Sequence, residues 1–160
     1  MLSVLFLYFS KDAPLVWTGS KTHSVLIIAR PKTRVILNAE AAALTLRQAG
    51  ISTIVAYSGK LPPVDMIKMI QHATIVVAVH GAECTFASFM CSRSAVLVEL
   101  GPDPNSTFGY HSIFEFYKST APSYLYAEYT DVGQWTDGTF TANVTMNLTW
   151  FGGLIESLVQ

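Results

Sequence analysis

The sequence predicts an α/β domain with a parallel, doubly wound sheet covered by helices on both faces. Three observations carry that prediction. Ser24–Ala29 (SVLIIA) and Ile75–Val79 (IVVAV) are short, unbroken runs rich in β-branched residues, the form taken by strands buried on both sides. A third run, residues 95–100 (AVLVEL), follows one short helical stretch, so that residues 78–100 read as strand, tight polar turn, helix and strand. Between the runs the chain alternates strand and helix through short connections, for which a parallel sheet is the economical arrangement.

Taken in order, residues 11–14 (KDAP) form a turn and residues 18–21 (TGSK) a loop, before the strand that opens at Ser24. Pro31 ends that strand and starts a turn over residues 30–34. Residues 38–49 are rich in Ala, Leu and Glu and read as a helix closed by Gly50. Residues 51–57 are a strand and 58–63 (SGKLPP) a loop. Met66, Ile67, Met69 and Ile70 stand at helical spacing within residues 64–72 and lead into the Ile75 strand. After Glu99, the sequence Gly101-Pro102-Asp103-Pro104 forces a loop. Residues 111–118 are then expected to be a short aromatic helix, 123–129 an edge strand, 130–145 mainly loop, and 150–159 a closing apolar helix interrupted by Gly152-Gly153.

The 160 residues amount to one domain, large enough to bury a sizeable core. Charged residues are only 13%, where about a quarter is usual. Either the core is larger than average or one face packs on a partner domain. A net charge of −1 without a basic stripe excludes nucleic acid as a partner. Met1, Leu2 and the residues to Phe9 are apolar but lack a basic n-region and a cleavage site, and are too few to span a bilayer. Residues 1–23 are thus an N-terminal extension or the remnant of a preceding domain, and residues 24–160 the domain proper.

Cys84 and Cys91 stand seven residues apart, about 10 Å along a helix, too far for a disulfide. No second Cys/His pair at metal spacing accompanies them, which leaves buried apolar roles. Three of the four asparagines open N-x-[ST] sequons, Asn105, Asn143 and Asn147, which points to the secretory pathway. The same residues also suit local structure, Asn147 as a helix N-cap and Asn105 as a turn residue.

His80, Gly81 and Ala82 follow a buried strand at its carboxyl end, where open α/β sheets bind ligands. Gly81 permits close backbone approach or positive φ, and Ala82 keeps that approach clear. Arg30 and Arg34 flank the turn after the first strand, at the same edge, and two guanidinium groups there suit a diphosphate. His80 is either a satisfied structural histidine or a donor to a phosphate or sugar oxygen that stabilises a leaving diphosphate. Glu99 is either a solvated strand-end carboxylate or an acceptor for ribose hydroxyls. There is no G-x-G-x-x-G, Walker loop or G-x-S-x-G elbow, and no D-x-D pair to hold a metal–diphosphate complex, so the expected chemistry needs no metal.

The segment HGAECTFASFM with the following AVLVEL resembles the HGAGLTN-type segment and next strand of glycosyltransferase family 61, which includes plant xylosyl- and arabinosyltransferases and secretory O-GlcNAc transferases. Arg30, Arg34 and Asn38 resemble that family's R-x-x-x-R-x-x-x-N segment. The resemblance runs from about Ser24 to the terminal helix. It implies the Rossmann-like C-terminal half of a GT-B enzyme, with Arg30, Arg34, Asn38, His80, Gly81, Ala82 and Glu99 lining a pocket for a nucleoside diphosphate sugar, a UDP-sugar by analogy. Glu83 and Phe86 replace a glycine and an asparagine of the family motif. A carboxylate at 83 is a like charge to a diphosphate, so its side chain is expected to turn outward.

The resulting expectation is the donor-binding half of a metal-independent glycosyltransferase that transfers a sugar to a protein or polysaccharide hydroxyl. It would use no cofactor beyond the sugar nucleotide, work in the Golgi or endoplasmic reticulum lumen, and need an N-terminal Rossmann-like domain upstream. The alternative is a truncated or degenerate, non-catalytic nucleotide-binding or interaction module. A third, weaker reading is a Rossmann-like nucleotide-binding enzyme unrelated to sugar transfer.

Overall fold

A computed structural model describes residues 23–91, 94–101, 123–128, 133–135 and 143–159. Five strands, β1 (Ser24–Ala29), β2 (Ser52–Tyr57), β3 (Ile75–Val79), β4 (Val96–Gly101) and β5 (Ser123–Glu128), form one sheet in the order β2-β1-β3-β4-β5. Every neighbouring pair is parallel. Helix α1 (Ala39–Gln48) joins β1 to β2, and α2 (Pro63–His72) joins β2 to β3. A 3-10 helix over Ala82–Phe89 leads from β3 towards β4. This is the Rossmann-like α/β architecture that the alternating pattern predicts.

The central strands are apolar on both sides because both sides are covered. Val25, Ile27, Ala29, Val77, Val79, Val98 and Leu100 face one core, and Leu26, Ile28, Val76, Ala78 and Leu97 face the other. On the first face α1 buries Ala39, Ala42, Ala43 and Leu46, a stripe at helical spacing whose small side chains bring the helix close to the sheet. Gly50, at φ +81°, then turns the chain out of α1 in the left-handed conformation that glycine adopts without strain. On the second face α2, with Pro63 in its first turn, packs Met66, Met69 and Ile70, and the 3-10 helix adds Cys84 and Ala87.

The carboxyl-terminal part differs from expectation. Residues 130–145 read mainly as loop, yet β6 (Gly133–Trp135) and the first two residues of β7 (Val144–Met146) fall there, and the two strands pair antiparallel. These strands are too short for a period to show. Helix α3 (Leu148–Leu158) runs unbroken through Gly152 and Gly153. It seats Phe151 and Ile155 on the α1 side, where packing outweighs the low helix propensity of two glycines. Asn147 caps it, its Oδ1 accepting from the N–H groups of Thr149 and Trp150 at 3.1 Å each. The expected helix at residues 111–118, the sequon at Asn105 and the extension before residue 23 lie outside the described residues. No helix among the described residues is long and apolar enough to cross a membrane.

Candidate anion site at the strand switch point

The strand order places a topological switch between β1 and β3. From β1 the chain goes out to β2 on one side, and from β3 to β4 on the other, so the loops leaving β1 and β3 diverge and open a crevice at the carboxyl edge. Arg30 and Arg34 belong to the first loop, and His80, Gly81 and Ala82 to the second.

Arg34 stands at φ +56°, a left-handed backbone uncommon for a side chain of its size. That twist turns its guanidinium back across the crevice, where Nη1 donates to the carbonyl of His80 at 2.5 Å. Gly81, at φ +147°, makes room for it: a Cβ there would lie 2.5 Å from Nη1 of Arg34 and 3.2 Å from Nη1 of Arg30. Both guanidinium groups therefore converge on one bare stretch of backbone. Ala82 is exposed at the start of the 3-10 helix.

Glu83 corrects the expectation that its side chain turns outward. It is buried, and its Oε1 meets Nε of Arg30 at 3.2 Å and accepts from the hydroxyl of Ser58 at 3.0 Å. Among the described residues, Nη1 of Arg30 and Oε2 of Glu83 are buried without a hydrogen-bond partner. Sequence reasoning counts neither Ser58 nor Glu83 among the residues lining the site: Ser58 reads only as part of a loop, and Glu83 is expected to turn away. Ser58 directly follows β2, and in a parallel sheet that position shares an edge with the residues following β1 and β3.

His80 and Glu99 do not open onto the crevice. Both are buried, and the Nδ1–H of His80 donates to Oε1 of Glu99. The two stand on neighbouring strands, where the N–H of His80 also donates to the carbonyl of Leu100 at 2.7 Å. Of the alternatives open from sequence, the arrangement is that of a satisfied structural histidine. The Glu99 carboxylate is buried and accepts within that pair.

Asn38 is likewise occupied. Its Nδ2 donates to the carbonyl of Met146 at 2.9 Å and its Oδ1 accepts from the Met146 N–H at 2.8 Å, tying the start of α1 to β7. Asn143 makes a parallel tie, its Oδ1 accepting from the N–H of Val35 at 2.8 Å. Asn143 and Asn147 thus both use their side-chain oxygens within the fold.

The thiol of Cys84 is wholly buried and donates to the carbonyl of Val79 at 3.7 Å. Burial, and then the nearby Glu99 carboxylate, push its pKa well above the usual thiol value. It is held as a neutral thiol, a packing group and not a nucleophile. Cys91 is exposed, and both cysteines are free. Among the described residues no group of three or more His, Cys, Asp or Glu side chains is placed to hold a metal ion.

No protein-family model and no curated protein matches this chain. Among solved structures, the metal-soaked flavodiiron core of Flv1 from Synechocystis sp. PCC6803 is similar over 87% of this chain, with a TM-score of 0.55 and 11% identity. The chain spans 36% of the length of that protein. The flavodoxin of Streptococcus pneumonia TIGR4 aligns over 84% of this chain and 97% of its own, with a TM-score of 0.46 and 10% identity. The order β2-β1-β3-β4-β5 is that of the flavodoxin-like doubly wound sheet, a fold in which ligands bind at the β1/β3 switch point, flavin mononucleotide (FMN) in flavodoxin itself. The Flv1 likeness, which concerns the fold alone, corrects two expectations: the similar structure is a flavodiiron core and not a glycosyltransferase, and the expectation that no cofactor is used does not stand.

Proposed function

We propose that this chain is a flavodoxin-like mononucleotide-binding module that anchors its ligand through a phosphate at the β1/β3 switch point. One observation carries the reading: the guanidinium groups of Arg30 and Arg34 converge on Gly81 at that crevice. Two planar cations that meet beside one glycine suit a phosphate, which accepts paired N–H donors. Arg30 has a donor in reserve, since its buried Nη1 has no partner among the described residues. The residues present therefore fit the phosphate end of FMN, which the strand order makes the first ligand to try.

When bound, a flavin supplies electron and hydride transfer. The chain's own part is to bind and orient. Arg34, held by the His80 carbonyl, is a pre-positioned donor, and pre-organisation of this kind lowers the ordering cost of binding. His80, Glu99 and Cys84 are buried and engaged, so no proton-transfer or nucleophilic role falls to them.

The test is a calorimetric and fluorescence titration of the full chain with FMN, riboflavin and AMP, alongside Arg30→Ala and Arg34→Ala. The expected result is that FMN binds more tightly than riboflavin by about tenfold or more, because a charge-assisted phosphate contact contributes about 1.5–3 kcal/mol. Each arginine substitution then abolishes that advantage. Equal binding of FMN and riboflavin, or no binding of any phosphate-bearing ligand by a folded chain, overturns the proposal.

A further inference from the structure

Glu83 is the feature that an anion cradle does not need. It lies against Arg30 at the crevice, buried, with its two oxygens in different situations. Oε1 is held by Nε of Arg30 and the Ser58 hydroxyl, at 3.2 and 3.0 Å. Oε2 is buried and has no donor among the described residues. The other member of the ion pair carries the complementary vacancy, a buried Nη1 donor on Arg30 without an acceptor. One ion pair thus carries both an unmatched donor and an unmatched acceptor.

An anion that brings only acceptors satisfies Arg30 and leaves Oε2 unmatched beside a like charge, which is costly in a desolvated site. An anion that carries a hydroxyl satisfies both, its oxygens accepting from Arg30 while its O–H donates to Glu83. We infer that Glu83 makes this cradle select tetrahedral anions bearing a proton, hydrogen phosphate or a singly ionised phosphate monoester, over aprotic anions of the same shape such as sulfate. The inference rests on the reading that a phosphate binds at this crevice, and it assigns Glu83 the role of specificity determinant there. Ser58 is the positioning residue, since its hydroxyl occupies Oε1 and leaves Oε2 as the acceptor for the ligand.

The experiment compares inorganic phosphate with sulfate, by calorimetry at neutral pH and matched ionic strength, on the full chain. Phosphate keeps at least one proton under these conditions and sulfate keeps none. Phosphate is expected to bind about tenfold or more tightly than sulfate, the size of effect that an unmatched buried acceptor produces. Glu83→Gln replaces the acceptor with an amide that can donate, and is expected to bring the two anions to within about threefold by raising sulfate affinity. Ser58→Ala, a milder change, is expected to narrow the preference without abolishing binding. Sulfate binding equal to phosphate in the unaltered chain, or a preference unchanged in both variants, overturns the role of Glu83 while the cradle stands. Failure of phosphate, sulfate and FMN alike to bind a folded chain overturns the underlying reading as well.

Discussion

Gly81 and Arg34 occupy adjoining space that a single methyl group would contest: a Cβ on Gly81 would stand 2.5 Å from Nη1 and 3.1 Å from Cζ of Arg34. The glycine is also at φ +147°, so a side chain there is strained as well as crowded. Gly81→Ala is therefore expected to cost about 1–3 kcal/mol of stability from backbone strain alone. It should also displace the Arg34 guanidinium from the His80 carbonyl. Urea denaturation reads the first effect and FMN titration the second. Unchanged stability together with unchanged binding would contradict the packing described here.

His80 and Glu99 form a buried polar pair within the sheet. Removing one partner strands the other. Glu99→Ala and His80→Ala are each expected to cost about 3–5 kcal/mol, with the double variant well short of their sum. A thermodynamic cycle of urea midpoints checks this; additive effects would mean that the pair is not coupled.

The Asn38 tie to Met146 predicts a local effect. Asn38→Asp keeps the acceptor for the Met146 N–H but turns a donor into a carboxylate oxygen facing the Met146 carbonyl. Its expected cost is about 1–3 kcal/mol. Amide exchange at Met146 and through α3 should accelerate, while exchange in the central strand β3 follows only the change in global stability.

Cys84 sets an alkaline limit. Its thiol pKa is raised in the folded chain, by burial first and the Glu99 charge second, above the unfolded value of about 8.5. The unfolded chain then releases a proton that the folded chain retains. Its contribution is neutral below the unfolded pKa, and stability falls as pH rises through and beyond that value. Cys84→Ala should flatten that fall. Thiol labelling gives a second check: Cys91 should react in the native state and Cys84 only on unfolding.

Much of the fold was legible because burial on both faces leaves unbroken apolar runs. Ser24–Ala29 and Ile75–Val79 agree with the predicted strands residue for residue, and α1 and α2 differ from prediction by a residue at the ends. β6 and β7 were not legible, since three-residue strands carry no period and their partner is set by tertiary contact. At the edge, Arg30, Arg34 and Gly81 do converge, which their positions after two parallel strands imply. What sequence position cannot give is side-chain direction. Glu83 turned in where charge argued for out, because Arg30 and Ser58 await it there. His80, Glu99 and Asn38 found partners within the protein before any ligand.

The ties between Val35 and Asn143 and between Asn38 and Met146 each join residues 108 positions apart, and Phe151 and Ile155 complete the core over α1. During synthesis β1, α1, β2, α2 and β3 emerge first and can pair locally. Their α1 side nonetheless stays unsealed until residues 143–155 have also left the ribosome. A nascent or prematurely terminated chain therefore presents a ready-made greasy groove beside α1, the kind of surface that holding chaperones bind and that self-associates when they are scarce.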